Sequence, residues 1–252
     1  MSDRIFDLRS VNIPMAPAEL RSRVSGTSRK AWFDKSGRNI AAIVQDEVPR
    51  HHRPARVLDF GCGCGRVLRH LATSPGLELH AAEIQTDLLT WCRGNLQPVR
   101  YVNNRVEPPL PYEDDTFDLI YAISVFTHLP APLHTRWLCE LSRILGPDGR
   151  IVMTERGEAY TGQLNPEELH RLGSDGIAVR NERLPGTNAC DTFVTRPWIE
   201  QEMRRAGLRL VRSYAADPRI RPRGRSRRDH PGQDLLIAEV NQHRQGATER
   251  SR

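Results

Sequence analysis

A glycine-rich loop between a short apolar strand and a helix is the clearest chemical feature of the sequence. The segment Val57–Arg66 reads VLDFGCGCGR, and Asp59 stands two positions before the first of Gly61, Gly63 and Gly65. Glycines lack a Cβ atom, so they let a loop backbone approach a bound molecule closely. A carboxylate in front of the loop would accept a hydrogen bond from a cationic group and would repel a pyrophosphate. The loop therefore predicts a ligand that carries a positive charge.

Two further polar residues follow strands at the places that a nucleoside site requires. Glu83 ends the predicted second strand, about 20 residues after the glycine loop, where a carboxylate can bind ribose hydroxyls. Asn104 follows the predicted third strand, and its amide can both donate to and accept from an adenine edge. Each of these residues also has a local alternative, since Asp59 and Asn104 suit turns and Glu83 suits a helix cap. Their neighbours complete the predicted pocket: Cys62, Ile84, Arg105 and Val106.

The elements that must position these residues alternate between strand and helix. Hydrophobic periodicity predicts the strands Arg56–Phe60, Leu77–Glu83, Val99–Asn103, Phe117–Ile123 and Arg150–Glu155, and the helices Ser36–Val48, Arg66–Thr73, Thr86–Asn95 and Pro132–Leu145. A polar insert at 156–196 comes next, followed by a helix (Pro197–Ala206) and two closing strands (Leu208–Tyr214 and Leu235–Val240). This alternation predicts an α/β fold with a parallel, doubly wound sheet.

Four segments resemble successive motifs of the class I S-adenosylmethionine (SAM)-dependent methyltransferases. They read VLDFGCGCGR, AAEIQTDLLTWC, EPPLPYEDDTFDLIYAISVFTHL and LSRILGPDGRIVMTE. The likeness is greatest to the bacterial small-molecule enzymes of the type 11/12 kind, and it covers residues 30–155 best. It implies a Rossmann-like seven-stranded sheet, mostly parallel with one antiparallel strand, SAM as methyl donor and S-adenosylhomocysteine (SAH) as product. The family often has Asp after the third strand, where this chain has Asn104.

The resemblance also places residues around the methionine end of SAM. An N-terminal helical lid would contribute Trp32, Ser36 and Arg38, and a guanidinium suits the SAM carboxylate. Arg38 could equally be an ordinary surface residue of a helix. Ser124 and Val125 follow the fourth strand and would face the methyl-bearing sulfur.

Methyl transfer is an in-line displacement from an activated donor, so the protein must mainly position the acceptor and remove its proton. His128 is the candidate general base because an imidazole titrates near neutral pH; a purely structural role in its loop is the alternative. The residues expected to contact a polar acceptor are Glu155, Tyr160, Asn188 and Asp191. We expect O-methylation rather than N- or C-methylation, and the N-P-P-Y signature of adenine methylation is absent after the fourth strand.

Length and composition fit one soluble domain. The chain has 252 residues, of which 38% are hydrophobic, and no apolar run is long enough to span a membrane. The N-terminus lacks the apolar core of a signal peptide, so we expect a cytoplasmic protein, monomeric or homodimeric. The expected organisation is an arm or lid (1–35), a methyltransferase domain (36–242, with 156–196 as an acceptor-side insert) and a disordered tail (243–252). The five cysteines are expected to be reduced, and their spacing predicts no metal site.

The net charge of +6 is concentrated in a loop at 219–228. Its arginines are Arg219, Arg221, Arg223, Arg225, Arg227 and Arg228. Such a run can bind nucleic acid or can simply be a solvated loop, and we expect a small-molecule partner rather than nucleic acid. An RNA methyltransferase that uses this loop and a non-catalytic SAM-binding protein are the alternatives. A dinucleotide oxidoreductase is disfavoured because the G-x-G-x-x-G spacing is absent. The arginine bias suggests a GC-rich bacterial source and specialised metabolism.

Overall fold

Nine strands and seven helices occur in the residues that the computed structural model describes, 13–50, 53–220 and 231–241. The strands are β1 (Ala55–Phe60), β2 (Leu77–Glu83), β3 (Arg100–Asn103), β4 (Phe117–Ala122), β5 (Leu145–Glu155), β6 (Ile177–Arg180), β7 (Asp191–Val194), β8 (Leu208–Tyr214) and β9 (Asp234–Val240). The helices are α1 (Ala18–Ser25), α2 (Lys30–Glu47), α3 (Leu68–Leu71), α4 (Thr86–Asn95), α5 (Ala131–Ile144), α6 (Pro166–Asp175) and α7 (Arg196–Arg205). None of these helices is both long and apolar enough to cross a membrane.

Seven strands form one sheet in the order β3-β2-β1-β4-β5-β9-β8. Strands β1 to β5 run parallel, whereas β9 runs antiparallel to β5 and to β8. The predicted Rossmann-like, seven-stranded, doubly wound sheet with one antiparallel strand is thereby confirmed. The chain order reverses between the neighbouring strands β1 and β4, and a ligand crevice opens at the carboxyl ends of strands at such a point.

Alternate side chains of β1 enter two separate hydrophobic layers. Leu58 and Phe60 belong to the layer that contains Trp137 of α5, and the Phe60 and Trp137 ring centroids lie 4.6 Å apart. Val57 belongs to the opposite layer with Val44 of α2. Each of these side chains is at most 3% exposed. Burial on both faces fixes β1 in the centre of the sheet and so fixes the position of the loop that follows it.

Most predicted elements agree closely with the observed ones. The bounds of β2, α4 and β8 are as predicted. Strand β5 begins at Leu145 instead of Arg150, because Leu145 already pairs with Phe117 before a shift in register. The helix predicted at Arg66–Thr73 shortens to α3.

Helix α1 lies in the segment for which a helical lid was predicted. Pro17 and Gly26 delimit the helix. Pro17 precedes its first turn, and Gly26 ends it in the left-handed conformation (φ 67°), with its N–H donating to the carbonyl of Ser22. Proline at a helix start and glycine just after a helix end are favoured for these reasons.

The insert is more ordered than the sequence suggests. It contains α6 and a separate two-stranded antiparallel sheet of β6 and β7. Asn165 and Glu168 form a reciprocal capping box at the start of α6. The insert also has its own small hydrophobic cluster, formed by Tyr160, Leu172, Ala178 and Phe193. Strands of only four residues carry too little alternation to be recognised from the sequence.

Candidate active site

The glycine loop packs closely against the side chains of Val24 and Val125. Gly61 and Gly63 have φ of 79° and 55°, in the left-handed region that favours glycine. A Cβ atom at Gly61 would lie 2.4 Å from Cγ2 of Val125, and one at Gly63 would lie 2.9 Å from Cγ2 of Val24. Both positions therefore need glycine for space as well as for conformation.

Glu83 fastens the glycine loop to the end of β2. Its Oε2 accepts from the N–H of Gly63 at 2.8 Å, and its Oε1 accepts from the N–H of Gln85 at 2.9 Å. Burial raises the pKa of Glu83, and the amides of Gln85 and Gly63 oppose that shift by stabilising the charged form. A carboxylate has about four lone-pair sites, so Glu83 retains capacity for ribose hydroxyls.

A first cavity lies at the carboxyl ends of the central strands. It brings together most of the predicted cofactor residues: Asp59, Gly61, Cys62, Gly63, Glu83, Ile84, Asn104, Arg105, Val106, Ser124 and Val125. His128 and Asn188 also line it. Gly65 does not, because its position faces Leu96 and Cys92 in the layer beneath the loop.

Two polar side chains of the first cavity, Asn104 and Asp59, lie where an adenosyl ligand would need them. The Oδ1 atom of Asn104 is buried and accepts no hydrogen bond within the described ranges, while its Nδ2 donates to the carbonyl of Arg105. Asp59 is 4% exposed, and burial raises its pKa to about 7. A nearby ammonium would restore the charged carboxylate. These two residues fit the adenine edge and the ammonium of SAM.

Arg66 is a site residue that the sequence analysis overlooked. Its side chain is 7% exposed and lines both the first cavity and a second one beside it. Its Cζ lies 5.7 Å from the ring centroid of Trp32, its Nη1 donates to Oγ of Ser36 at 3.4 Å, and its Nε has no hydrogen-bond partner among the described residues. Burial lowers the pKa of Arg66, against the attraction of Asp59. A buried guanidinium with a free donor fits the SAM carboxylate.

Arg38, the arginine predicted for that role, lies elsewhere. Its side chain is 70% exposed, pairs with Asp34 at 2.7 Å and lines neither cavity. It lies one turn from Asp34 on the outer face of α2, whereas Ser36 and Gly37 are buried. In the sequence, Arg66 ends the glycine motif and begins the helix predicted at Arg66–Thr73, and neither feature indicates that its side chain is buried.

His128 lies where the two cavities meet and has a defined tautomer. It ends a short 3₁₀ turn, Phe126–His128, and its Nδ1 lies 2.6 Å from the carbonyl oxygen of Cys190. A carbonyl only accepts, so Nδ1 donates, and the neutral ring keeps its lone pair on Nε2. Burial lowers the pKa of His128, and the charge of Arg156 lowers it further. The ring is therefore neutral near pH 7.

The second cavity, of about 640 Å³, contains three of the four predicted acceptor residues. Tyr160, Asn188 and Asp191 line it, together with Trp32 from α2. Glu155 does not. It is 1% exposed, and its Oε1 lies 3.4 Å from Nε2 of His134 in α5.

Helix α1 and the insert meet above both cavities. Arg23 of α1 pairs with Asp87 and Gln85 at the start of α4. Asn188 of the insert donates from Nδ2 to the carbonyl of Arg23 at 2.7 Å, and the N–H of Gly186 donates to the carbonyl of His128 at 2.8 Å. The predicted lid at 1–35 stays a prediction, but its described part contributes to both cavity walls.

Some predicted features fall wholly or mainly outside the described residues. These are the tail 243–252 and most of the arginine loop, of which only Arg219 and Ile220 are described. Arg219 pairs with Asp217 at 2.5 Å. The five cysteines are free thiols, and no group of three or more His, Cys, Asp or Glu in the described part of the chain is placed to hold a metal ion.

Known proteins share both the sequence motifs and the fold. Residues 58–153 match the Methyltransf_11 family, a methyltransferase domain. The ubiquinone biosynthesis O-methyltransferase of Neisseria meningitidis serogroup C is 27% identical over 70% of this chain and 76% of its own length. Methyltransferase GfsG of Streptomyces halstedii is 31% identical, but the match spans only 40% of this chain and 37% of that protein.

A solved structure extends the likeness to the complete fold. The 1,6-didemethyltoxoflavin-N1-methyltransferase of Burkholderia thailandensis, bound to 1,6-didemethyltoxoflavin and SAH, superposes with a TM-score of 0.56 at 19% identity, covering 90% of this chain and 91% of that one. The matched family domain contains the glycine loop, Glu83, Asn104 and Ser124, which line the first cavity. Residues 58–153 therefore form a methyltransferase domain of the SAM-dependent kind, and the sheet that surrounds them has the class I methyltransferase fold.

Proposed function

We propose that this methyltransferase transfers the methyl group of SAM to a hydroxyl oxygen of a polar small molecule bound in the second cavity, with His128 as general base. The observation that carries the proposal is the position of His128. Its ring borders both cavities, and its hydrogen bond to Cys190 directs the basic lone pair to Nε2.

Four side chains of the first cavity would hold the donor. Glu83 would accept from the ribose hydroxyls and Asn104 would bind the adenine edge. Asp59 would pair with the ammonium and Arg66 with the carboxylate. SAM supplies an electrophilic methyl group on a sulfonium, so no covalent enzyme intermediate is needed.

His128 would act on the acceptor rather than on the donor. Its Nε2 removes the proton of the acceptor hydroxyl as the oxygen forms a bond to the methyl carbon and the carbon–sulfur bond breaks, with the bonding pair leaving on sulfur. The products are the methyl ether, SAH and a protonated imidazole, which then returns its proton to water.

The relatives give this proposal two kinds of support. The Neisseria protein is named as an O-methyltransferase, which favours oxygen as the methylated atom. The Streptomyces methyltransferase is bacterial, which agrees with the expected bacterial source. Specialised metabolism stays a prediction. A cytoplasmic location stays a prediction.

The decisive variant is His128→Asn. The asparagine amide can still donate to the carbonyl of Cys190, because it reaches about as far as Nδ1, but it has no basic nitrogen. We expect it to bind SAH as the wild type does and to lose on the order of 10²–10⁴-fold in kcat for a hydroxyl acceptor. An acceptor screen with labelled SAM identifies the substrate for this comparison. Full activity in His128→Asn would show that the histidine only shapes its loop.

A further inference from the structure

We propose that the acceptor is an aromatic hydroxy acid, that is, a hydroxylated aromatic ring that carries a carboxylate. This inference rests on the proposed function, since it concerns the second cavity of the same site. It is drawn from the charge and the ring content of that cavity.

The lining of the second cavity is cationic. Four arginines line it, namely Arg23, Arg29, Arg156 and Arg66, the last of which would pair with the SAM carboxylate. The only acidic residue that lines it among the described residues is Asp191. Arg23 and Arg156 are each paired with an aspartate, whereas Arg29 lies at the exposed rim. The donor adds a sulfonium cation beside the cavity. Such an excess of positive charge favours an anion over a neutral or cationic acceptor.

Arg156 is the best-placed group to bind the carboxylate. Its Nη1 donates to the carbonyl of Thr127 at 3.1 Å and to Oδ1 of Asp191 at 2.5 Å, and its Cζ lies 5.6 Å from the ring centroid of Phe193. These contacts hold the guanidinium of Arg156 in place, and 17% of the side chain is exposed. Its side-chain hydrogen bonds within the described ranges all come from Nη1, so Nε and Nη2 keep the paired N–H donors that match a carboxylate.

Aromatic side chains provide the other part of the lining. Trp32 comes from α2, Tyr160 follows β5 and Phe193 belongs to β7. The Tyr160 and Phe193 rings lie 6.2 Å apart and are tilted by 54°. Rings at such angles pack well against the face or the edge of another ring. Since His128 also borders this cavity, a ring between His128 and Arg156 would present its hydroxyl to the base and its carboxylate to the guanidinium.

The test uses three compounds with one ring and different charge: 3,4-dihydroxybenzoate, 3,4-dihydroxybenzamide and 3,4-dihydroxybenzylamine. Each is titrated calorimetrically into protein already saturated with SAH. We expect the acid to bind at least about tenfold more tightly than the amide, because hydrogen bonds to charged groups are the stronger ones, and the amine to bind most weakly. Methyl transfer from labelled SAM should follow the same order in kcat/KM.

Two arginine variants test which side chain makes the acid bind more tightly than the amide. Arg156→Gln should weaken the acid far more than the amide, so that the acid-to-amide affinity ratio falls by about tenfold. Arg29→Gln, at the exposed rim, should lower the ratio less. Arg38→Gln, on the outer face of α2, is the control and should keep the ratio. If Arg156→Gln does not fold, as judged by its melting temperature and SAH affinity, Arg29→Gln carries the test.

Equal affinities of the acid and the amide in a wild-type protein that binds SAH would overturn this inference and leave the proposed function intact. A ratio that neither arginine variant lowers would overturn it too. Failure of the wild type to bind SAH would overturn the proposed function and the inference together.

Discussion

The Nδ1 atom of His128 lies 2.6 Å from the carbonyl oxygen of Cys190, the residue that directly precedes β7 of the insert. This contact joins the loop after β4 to the acceptor-side insert. It also decides which imidazole nitrogen carries the proton, because a carbonyl can only accept. The insert thus sets the chemical state of the proposed base as well as forming a wall of the acceptor cavity.

The first prediction concerns the pH dependence of turnover. Burial and the charge of Arg156 lower the pKa of His128 from its ordinary 6.5, while Cys190 and Asp191 oppose the shift. The base is active when neutral, so kcat should fall at low pH with a midpoint below pH 6.5 and should be constant well above that midpoint. A pH profile of kcat at saturating SAM measures this directly.

The variant Arg156→Gln gives that profile its control. Loss of the positive charge should move the acid limb to higher pH, and His128→Asn should remove the limb from the residual activity. An acid limb above pH 6.5 in the wild type, or one unmoved by Arg156→Gln, would contradict the assignment of His128 as base.

The second prediction distinguishes two arginines. Arg66→Gln should weaken SAH binding by about tenfold or more, because a charge-assisted hydrogen bond to the carboxylate is lost. It should leave binding of 5′-methylthioadenosine unchanged, since that compound lacks the amino acid end. Calorimetric titration of each ligand provides the comparison, with the exposed Arg38→Gln as the matched control. Equal losses for both ligands in Arg66→Gln would show that it acts through the fold rather than through the carboxylate.

The two arginines, Arg66 and Arg38, also show which features could not be predicted from the sequence. Strand spacing and the glycine motif were enough to predict β1, β2, the sheet and the residues around the first cavity. Arg66 was missed because its burial comes from tertiary packing against Trp32 and Ser36 of α2. No local pattern of the sequence reports that contact.

The prediction that Glu155 contacts the acceptor was wrong, and the strand pattern of the sequence explains why. Ile151 and Met153 face the hydrophobic layer of α5, and Glu155 follows them at the two-residue period of a strand. It therefore points to His134 of α5 and not to the acceptor. The insert strands β6 and β7 could not be predicted from the sequence, because four residues show too little periodicity.

The third prediction concerns Asp59 and stability. Burial raises its pKa from the ordinary 3.8 to about 7, with the Tyr121 hydroxyl opposing the shift. The folded state then holds a proton that the unfolded state releases, so this contribution to stability is present at low pH and is lost as the pH rises from 3.8 through about 7. Asp59→Asn is neutral at every pH. It should therefore gain stability relative to the ligand-free wild type between pH 5 and pH 8, by up to a few kcal/mol.

Urea unfolding of both proteins at the two pH values tests this point, and a stability difference that is the same at pH 5 and pH 8 would refute it. Titration of the same variant with SAH at pH 8 should show weaker binding, because the amide cannot pair with the ammonium.

The fourth prediction assigns two roles to Glu83. Glu83→Gln replaces one carboxylate oxygen by an NH₂ group, which must then face a donor, the amide of Gly63 or of Gln85. We expect a loss of about 1–3 kcal/mol in the free energy of unfolding, together with weaker SAH binding. The matched control is Glu78→Gln on the same strand. That side chain is 31% exposed and pairs with Arg56 and Arg100, so its loss should cost at most about 1 kcal/mol and leave SAH binding unchanged. Equal effects of the two substitutions on stability and binding would rule out the role of Glu83 in fastening the loop.

Calorimetric titration of the wild-type protein with SAM, SAH and NAD tests the central claim most directly. SAM and SAH should each bind at one site per chain, and NAD should not bind, because Asp59 and the glycine spacing disfavour a pyrophosphate. Binding of NAD, or no binding of either adenosyl ligand, would contradict the assignment of the first cavity as the methyl-donor site.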